Sequence, residues 1–439
     1  MNILIVGSGA REHIISEKIY ESKHRPNLFC CGATINPGIE KLCKKTAIIS
    51  IEDIPAIVAF AKENNIDYCV IGPEVPICLG LADELEKINI ATIAPRRKAA
   101  IEKSKIIARE LFKKYNIDGN IEYQTINNID DLEKAKNFLE YLKQKNLSFV
   151  IKPDGLTGGK GVKVQGDHLG TIEEGIQYCR EILQSKDSLI IEEKLEGEEF
   201  SLHAFSDGET LKFMPVVQDH KRAFDGDTGP NTGGMGTYSF ADHSLPFLTT
   251  EEISKAKQIM QDTISIIKEE YDTPFKGILY GGFMATKDTI KLLEYNTRFG
   301  DPEAMNILSI LKTDICDIFE AIKNQTLNDL DIVFENKATV CKYIVPGEYP
   351  NKTESGEIKI GAFSDAKLYY ANVEEKENKL MTLSSRALAF VSSDQDIYNA
   401  EEKTEKALSF VSGNIRHRKD IATKSLIEKR INHMKEIKG

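Results

Sequence analysis

The first hundred residues alternate short apolar runs with segments of helical spacing. Asn2–Val6 is an apolar run that ends in the turn Gly7-Ser8-Gly9, and a helix is predicted from about Arg11 to Glu21. Ile54–Lys62 has helical apolar spacing and precedes a second apolar run, Tyr68–Ile71. Strands that alternate with helices indicate a parallel sheet covered by helices, in which ligands bind beyond the carboxyl ends of the strands.

The pattern changes after residue 100. Residues 101–145 read mainly as helices with charged faces, and residues 149–161 and 189–193 as short strands with glycine-rich turns. The further predicted elements are a helix at Glu251–Tyr271, strands at Ile278–Ala285 and Ile290–Tyr295, a helix from Pro302 to about Asn324, and a helix near Glu401–Val411 in a small mixed domain. A polar, acidic stretch at Leu327–Asn336 predicts a domain boundary before that last domain.

Composition places the chain among ordinary globular proteins. It has 439 residues, of which 41% are hydrophobic and 28% charged, a size that suggests about three domains. The net charge of −11 argues against a nucleic-acid binder, and no apolar tract is long enough to predict a membrane span. The eight cysteines are scattered without metal-binding spacing, which is typical of reduced thiols. The start of the chain has no basic signal-peptide segment, so we expect a cytoplasmic protein.

The turn at Gly7–Glu12 matches part of a dinucleotide-binding fingerprint. That fingerprint needs a third glycine where Glu12 stands, and a carboxylate there would oppose a pyrophosphate. The residues therefore argue against a nicotinamide cofactor. Two interpretations remain open: backbone N–H groups of the turn bind a single phosphate with Arg11 nearby, or the turn only connects a strand to a helix.

The densest chemical signal is the segment Ile151–Val162, which reads IKPDGLTGGKGV. It is not a Walker A loop, because that motif needs glycine at Asp154 and Ser or Thr at Gly161. Four glycines within seven residues let the backbone approach phosphate oxygens. Lys152 and Lys160 can neutralise phosphate charge. The alternative is an ordinary glycine-rich hairpin.

Glu294 and Asn296 are two apart on a predicted strand and so share a face. Carboxylate and amide oxygens are ligands suited to Mg²⁺. The alternative for this pair alone is the solvated face of an edge strand. Together with a phosphate-binding loop, the pair favours a metal–nucleotide site. The acidic turn after Leu189–Glu193 can supply backbone groups to an adenine edge and a carboxylate to ribose hydroxyls.

These segments together resemble the phosphoribosylamine–glycine ligase (glycinamide ribonucleotide synthetase) family of ATP-grasp enzymes, in its archaeal type. The resemblance covers nearly the whole chain. The stretches that carry it are Gly7–His13, Gly72–Pro76, Lys152–Gly161, Gln218–Arg222, Asp227–Gly236 and Glu294–Glu303. Gly229–Gly236 and Arg298–Glu303 are the most specific of them.

The resemblance implies a chain of mixed α/β and α+β class. Its parts would be an N-terminal Rossmann-like parallel-sheet domain at 1–103, an ATP-grasp domain of two subdomains at 104–330 with a mobile subdomain at about 120–193, and a small mixed C-terminal domain at 331–439. The implied reaction joins glycine to 5-phosphoribosylamine through glycyl phosphate, giving glycinamide ribonucleotide, ADP and phosphate in purine biosynthesis. ATP would be the co-substrate and Mg²⁺ or Mn²⁺ the metal. We expect a cytoplasmic monomer with small-molecule partners only.

The resemblance also assigns residues. Those implied to contact ATP are Lys105, Lys152, Gly158, Gly159, Lys160, Gly161, Glu192, Glu193, Lys194, Leu195 and Glu199, with Glu199 on the ribose. Those implied to contact the other substrates are Gly9, Arg11, Glu12, Glu74, Asn231, Thr232, Gly233, Gly234 and Asp301, with the 5-phosphate near Gly9–Arg11. Glu294 and Asn296 would hold the metal.

Three further residues are expected to take part in the chemistry. A guanidinium fork suits Arg298 to the glycine carboxylate or to the transferring charge. Asp219 is expected to bind an amine. Lys221 is the third residue expected to be catalytic. His13 and His220 are either acid–base groups or hydrogen-bonded structural histidines.

The sequence departs from the family pattern at several positions. ATP-grasp enzymes commonly carry a further acidic metal ligand one strand before Glu294, but Ile278–Ala285 contains no acidic residue. Lys103, Ala304–Met305 and Ser384-Ser385-Arg386 also differ from the pattern. The alternatives to the implied function are an ATP-grasp ligase of other substrates, an inactive nucleotide-binding protein and a nicotinamide oxidoreductase.

Overall fold

A parallel sheet begins the chain in the computed structural model, which describes residues 1–156, 161–185, 188–351 and 353–439. Its strands are β1 (Asn2–Val6), β2 (Asn27–Gly32), β3 (Lys45–Ile48), β4 (Tyr68–Ile71) and β5 (Ala91–Ile93). Its helices are α1 (Ala10–Tyr20), α2 (Pro37–Glu40), α3 (Ile54–Glu63), α4 (Glu74–Leu79) and α5 (Leu81–Glu86). The strand order β3-β2-β1-β4-β5 puts the turns after β1 and β4 at the switch point where such sheets bind ligands. The predicted N-terminal parallel sheet is confirmed.

A small antiparallel unit follows helix α6 (Lys105–Lys114). Its elements are β6 (Tyr123–Ile126), α7 (Leu132–Gln144), β7 (Phe149–Pro153), β8 (Lys163–Val164), α8 (Ile172–Ser185) and β9 (Leu189–Glu193). The sheet order is β6-β9-β7-β8, and both helices cover it around a separate apolar core that includes Leu139, Phe149 and Ile151. The strand β6 falls where the sequence predicted mainly helix.

A second antiparallel sheet faces this unit. The elements in this part of the chain are β10 (Glu198–Asp207), β11 (Leu211–Phe213), β12 (Gln218–Asp219), β13 (Arg222–Phe224), β14 (Thr228–Asn231), β15 (Gly236–Ser239), α9 (Thr250–Tyr271), β16 (Lys276–Ala285) and β17 (Ile290–Asn296). Four of them form the sheet β11-β10-β16-β17, in which β17 is an edge strand. The strands β13 and β14 form a separate hairpin.

The single helix predicted from Pro302 to Asn324 is wrong. Two helices stand there, α10 (Glu303–Ser309) and α11 (Ile315–Asn324). The break occurs because the Asp314 side chain accepts a hydrogen bond from the Cys316 N–H at 2.9 Å and so begins a new helix.

The remaining elements build the C-terminal region. They are β18 (Ala338–Pro346), β19 (Glu357–Ile360), β20 (Lys367–Tyr370), β21 (Val373–Lys376), β22 (Lys379–Thr382), β23 (Leu388–Asp394), α12 (Ile397–Leu408), β24 (Val411–Ser412), β25 (Ile415–Arg416) and α13 (Lys424–Lys438). Strand β18 pairs with β15 as well as β23, so this region shares a sheet with the middle of the chain. Short 3₁₀ turns lie at Ile101–Lys103, Ile129–Asp131 and Leu327–Asp329. Among the described helices, none is both long and apolar enough to cross a membrane.

One buried guanidinium connects the two small sheets. Arg109 on α6 donates through Nε to Glu192 of β9 at 2.7 Å, and through its terminal nitrogens to the carbonyls of Leu292 and Leu293 in β17 at 2.9 and 3.0 Å. Its side chain is 3% exposed. A buried charge is tolerated only when it is paired and hydrogen-bonded, and these contacts satisfy the planar donor fork.

We expect Arg109→Met to lower the free energy of unfolding by about 3–5 kcal/mol, because removal of one partner leaves the opposite charge buried. Urea unfolding followed by circular dichroism measures this change. Lys113→Met is the matched control, since Lys113 lies on the exposed face of the same helix and should change little. An Arg109 variant as stable as that control would contradict the structural role.

Candidate functional site

Two lysines, Lys152 and Lys105, lie close to the end of β7, where the glycine-rich segment begins. Lys152 on β7 forms an ion pair with Glu192, whose other oxygen is held by Arg109. Burial alone would raise the pKa of Glu192, but Arg109 and Lys152 together lower it to about 2. Glu192 is therefore a carboxylate at neutral pH, and it fixes the position of the Lys152 ammonium.

The base of the glycine-rich segment is tied to the start of α6. Asp154 accepts hydrogen bonds from Ser104 Oγ at 2.7 Å and from the Ile106 N–H at 3.2 Å. Lys105 Nζ donates to the carbonyls of Pro153 and Gly155 at 3.3 and 2.9 Å. These contacts bring Lys105 beside Lys152. The predicted contacts of Gly158, Gly159 and Lys160 lie outside the described residues, whereas Gly161 is described and its carbonyl accepts from the Tyr178 hydroxyl at 2.6 Å.

The turn after β9 connects the two sheets. Glu193 accepts from the Glu122 N–H at 3.1 Å, and the Lys194 N–H donates to Ser148 O at 2.7 Å. Leu195 is partly buried, and Glu199 is exposed at the beginning of β10. The predicted adenine and ribose residues thus lie on one short connection between the strand of Glu192 and the second sheet.

Glu294 and Asn296 share a face of β17, as their spacing predicted. The Lys221 ammonium lies 3.6 Å from Glu294 Oε1 and 3.7 Å from Glu199 Oε2, and its charge is the main cause that lowers the pKa of Glu294. Glu294 pairs across the sheet with Gly282. A glycine therefore stands on β16 opposite Glu294, where the sequence lacks the acidic residue common in ATP-grasp enzymes.

Arg298 follows the same strand and lies close to two carboxylates, those of Glu74 and Glu102. Its terminal nitrogen NH2 donates to Asn296 Oδ1 at 3.2 Å and lies 3.0 Å from Glu102 Oε1, and its Nε lies 3.4 Å from Glu74 Oε2. Glu102 also accepts from the Thr297 N–H at 2.7 Å. The N-terminal region thereby reaches the end of β17 through Glu74, with the partly buried Arg298 guanidinium between them.

A second group of carboxyls, the buried Glu303 and the partly buried Asp219, lies close to Arg298 and Lys221. Burial, with the neighbouring Glu303 carboxyl, raises the pKa of Asp219 well above its usual range. Burial likewise raises the pKa of Glu303. His203 Nε2 accepts from the Gly300 N–H at 3.1 Å, and its ring meets Tyr280 edge-on at 4.5 Å. Neighbouring carboxylates repel each other, which disfavours ionisation of both.

The glycine-rich turn Asn231–Gly234 is held against the C-terminal region. Thr232 donates through its N–H and its hydroxyl to Lys221 O at 2.7 and 2.9 Å. Arg386 donates to the carbonyls of Gly233, Gly234 and Asp301 at 2.8–3.0 Å. Asn231 is exposed at the end of β14. The predicted substrate loop therefore lies between Lys221 and Arg386.

The turn after β1 is closed by Glu12. One Glu12 oxygen accepts from the Gly9 N–H at 2.7 Å and the other from Arg11 Nε at 2.6 Å, while Arg11 NH1 donates to Phe299 O at 3.2 Å. Glu12 and Arg11 are both buried. Glu12 occupies the place of the missing third glycine and takes a backbone N–H that a pyrophosphate would need. This geometry explains why the dinucleotide fingerprint is incomplete.

A polar pocket opens beside this turn. Its lining residues come from the N-terminal sheet, the segment after Arg298 and the C-terminal region: Ser8, Gly9, Thr34, Asp301, Tyr343, Ala371, Asn372, Ser385 and Arg386. Asp301 accepts from the Tyr343 hydroxyl at 2.6 Å and lies 3.1 Å from Arg386. The segment 294–303 thus runs from the end of β17 to this pocket.

The two candidate acid–base histidines are buried in hydrogen-bonded positions. His13 Nδ1 accepts from the Tyr370 N–H at 3.0 Å and the ring stacks on Tyr370. His220 Nδ1 lies 3.2 Å from Gly236 O. Burial lowers the pKa of His13 to about 4 and that of His220 to about 3. Neutral, packed rings of this kind favour the structural interpretation.

Several residues of the site were missed in the sequence. They are Glu102, Arg109, His203, Tyr280, Glu303 and Arg386. Arg109 lies one helical turn after Lys105, so the i, i+4 spacing was an available signal. Glu303 and Arg386 stood inside quoted motifs. His203 and Tyr280 had no local signal, because only the pairing of β10 with β16 brings them opposite each other.

Comparisons with known proteins agree with this arrangement. Models of the phosphoribosylglycinamide synthetase family match residues 1–102 as its N domain, 103–304 as its ATP-grasp (A) domain and 339–424 as its C domain. The phosphoribosylamine–glycine ligases of Methanosarcina barkeri and Methanocorpusculum labreanum are 46% and 47% identical, each covering all of both chains. The crystal structure of that ligase from Thermotoga maritima is 27% identical with a TM-score of 0.79, covering 96% of this chain and all of the other.

Burial of His203 predicts a pH-dependent stability. Burial lowers its pKa to about 3, whereas an unfolded histidine has a pKa near 6.5. Below pH 6.5 the unfolded chain takes up a proton that the folded chain does not. The contribution of this histidine to the free energy of unfolding is therefore complete above about pH 6.5 and decreases as the pH falls towards 3. We expect His203→Gln to reduce the loss of stability between pH 7 and 5, by up to about 1.4 kcal/mol per pH unit.

Urea unfolding at a series of pH values measures that slope. The exposed His168 supplies the control His168→Gln, which should keep the slope of the unmodified chain. An unchanged slope in the His203 variant would show that its ring is protonated in the folded state.

Proposed function

The chain belongs to the phosphoribosylglycinamide synthetase family, and on that premise we propose how its residues share the work of the reaction. It is an ATP-dependent ligase that forms glycinamide ribonucleotide from glycine and 5-phosphoribosylamine in purine biosynthesis. The observation that carries the proposal is the segment 294–303, which joins the lysine and carboxylate cluster to the pocket beside Gly9.

We assign the ATP phosphates to Lys105 and Lys152. Glu192, itself held by Arg109, pairs with Lys152, and the carbonyls of Pro153 and Gly155 hold Lys105. Phosphate oxygens would gain two fixed positive charges at this point. Gly158, Gly159, Lys160 and Gly161 complete the proposed phosphate loop. Residues 192–195 would line the adenine, and Glu199 would bind the ribose.

The family uses ATP together with a divalent metal ion, and we propose Mg²⁺ or Mn²⁺ at Glu294 and Asn296. Two hard oxygens on one strand face fit such an ion, which completes its coordination with phosphates and water. The ammonium of Lys221, 3.6 Å from Glu294, already shows that this face accepts positive charge. When bound, the ion would neutralise phosphate charge.

The chemistry needs no side-chain nucleophile. A glycine carboxylate oxygen attacks the γ-phosphorus, the bond to the ADP oxygen breaks, and glycyl phosphate forms. The amine nitrogen of phosphoribosylamine then attacks the carbonyl carbon, phosphate leaves, and the nitrogen loses a proton. Catalysis therefore depends on positioning and charge stabilisation.

We propose that Arg298 orients the glycine carboxylate, because Glu74 and Glu102 fix its guanidinium beside the metal strand. Lys221 would stabilise the transferring charge. Asp219 lies next to Glu303 and Lys221 and would receive the amine or its proton. Thr232 and the Asn231–Gly234 turn would cradle the substrate between Lys221 and the C-terminal region.

The pocket beside Gly9 is the proposed site of the ribose 5-phosphate. Gly9 and Asp301 line it, and Arg386 adds a cation from the C-terminal region. Glu74 would face the ribose. Arg11 and Glu12, which hold each other and the Gly9 N–H, would support the turn from beneath. This assignment places the phosphate at a strand–helix turn at the switch point of the sheet.

Three broader features are also proposals. We retain the domain division at 1–103, 104–330 and 331–439, with a subdomain at about 120–193 that moves when ATP binds. The separate apolar core of residues 126–191 supports that motion. We further propose that the protein is a cytoplasmic monomer. Sedimentation velocity would measure its mass directly.

The substrate assignment predicts strict dependence of ADP release on both small molecules. ADP should form only when glycine and phosphoribosylamine are present together with ATP and a divalent ion, because glycyl phosphate is shielded from water until the amine arrives. A coupled assay of ADP, with alanine in place of glycine as control, measures this dependence. ADP release that is indifferent to either substrate would overturn the assignment.

Glu294→Gln should reduce kcat by at least about 100-fold, because it removes a charge that acts on the transferring phosphoryl group, while the fold survives. Asp288→Asn, an exposed carboxylate in the turn before β17, is the matched control. The measurement is kcat at saturating Mg²⁺ or Mn²⁺ after removal of bound metal with EDTA, with circular dichroism to check folding. Turnover close to that of the control would mean that the metal lies elsewhere.

A further inference from the structure

The last helix of the chain lies against the proposed active site. Helix α13 spans Lys424–Lys438 and begins at the last residue matched by the family's C-domain model. Its buried side chains are Leu426, Ile427 and Met434. Nothing in the reaction described above uses this helix, and its charged sequence did not predict it.

Arg430 of α13 joins two acidic residues from different segments. Its NH2 group donates to Asp227 Oδ2 at 2.5 Å, and its Nε lies 3.4 Å from Glu198 Oε2. His433, one turn further along the helix, lies 2.6 Å from Glu198 Oε1. The side chains of Arg430 and Glu198 are 16% and 5% exposed. The Arg430–Glu198 pair is therefore largely shielded from water, and a charge pair in such surroundings is stronger than one on the surface.

The two segments joined by Arg430 also meet in the proposed active site. Glu198 directly precedes Glu199, and Asp227 lies in the hairpin that follows Lys221. The Lys221 ammonium lies 3.7 Å from Glu199. Arg430 thus bridges, from outside the site, the same two segments that Lys221 and Glu199 bridge within it.

The turn of this hairpin is held by the segment just before α13. Arg418, which is fully buried, contacts Asp227 at 3.0 Å and donates to Arg222 O at 3.1 Å. Asp420 accepts from the Gly226 N–H at 2.9 Å, and Asp225 accepts from the Lys419 N–H at the same distance. The hairpin from Lys221 to the turn Asn231–Gly234 therefore takes its position from the end of the chain.

We propose that Arg430 is a positioning residue of the ligase reaction, which sets Lys221 and the substrate loop relative to the strand of Glu199. The proposal rests on the proposed function. Arg430 itself contacts no reacting atom, and it acts through Asp227 and Glu198. The last helix consequently helps to position the active-site segments.

Arg430→Met tests the proposal. It keeps the aliphatic volume against the apolar contacts of α13 but removes the bridge. We expect kcat to fall at least about tenfold, the usual effect of losing a hydrogen bond to a charged group. The KM for ATP should change less than kcat, because Lys105 and Lys152 are held elsewhere. Lys429→Met is the matched control, since Lys429 is 57% exposed and 3.9 Å from Asp227.

Two further variants separate positioning from simple folding. Arg430→Lys keeps a cation and should recover part of kcat. Asp227→Asn weakens the Arg430 contact, together with that of Arg418, without altering α13. The double variant with Arg430→Met should lose less than the sum of the two single losses, because the two substitutions share the Arg430–Asp227 contact.

The outcomes are distinct. If the unmodified chain shows no ADP release that depends on both glycine and phosphoribosylamine, the proposed function itself fails. If ADP release by the unmodified chain does depend on both substrates, a kcat of Arg430→Met equal to that of Lys429→Met overturns the positioning role. Fully additive losses for Arg430→Met and Asp227→Asn would also overturn it. If Arg430→Met fails to fold, the proposal is decided by the kcat values of Asp227→Asn and Arg430→Lys. Normal kcat values in both variants would reject the proposal.

Discussion

The arrangement of the nucleotide site depends on one buried guanidinium. Arg109 reaches from α6 to Glu192 on one sheet and to the backbone of β17 on the other. Because Glu192 also fixes Lys152, the same contact positions the proposed phosphate lysine and the strand of the proposed metal ligands. A cation without these partners would be too costly to bury, so the two sheets and the guanidinium require one another.

Charge is arranged along a continuous path from this point. Lys152 and Lys105 lie at the proposed phosphate site, Glu294 and Asn296 on the strand of the proposed metal ligands, and Arg298 after them. The chain then passes Phe299, whose carbonyl binds Arg11, and Asp301, which meets Arg386. Ten consecutive residues, 294–303, thus contact all three regions of the chain. This explains how a phosphoryl donor and an amine acceptor can be held close together without any catalytic nucleophile.

The N-terminal turn shows how one substitution changes the use of a common structure. In a dinucleotide-binding turn a glycine allows the helix to approach and leaves backbone N–H groups free. Here Glu12 fills that position and accepts from the Gly9 N–H. The carboxylate packs against Gly7 and Gly72, where a side chain would collide with it. The Gly9 N–H is therefore not free for a pyrophosphate, which is consistent with the proposed single-phosphate site beside this turn.

The sequence by itself determined the elements whose patterns are local. The strands Asn2–Val6, Tyr68–Ile71 and Leu189–Glu193 were predicted with the bounds observed, because apolar runs between glycine and polar residues specify a buried strand. The shared face of Glu294 and Asn296 followed from the two-residue period of a strand. The motifs of the sequence are by themselves sufficient to indicate the family.

Only the tertiary structure decided which charges meet. Nothing in the spacing of Glu192 predicted that its oxygens hold Arg109 and Lys152 from other elements. The break at Asp314, the partnership of Arg386 with Asp301, and the reach of Arg430 to Asp227 join residues that are distant in sequence or depend on a side-chain cap. Spacing along the chain reports the period of one element, whereas a buried ion pair depends on how separate elements pack, and that information is not local.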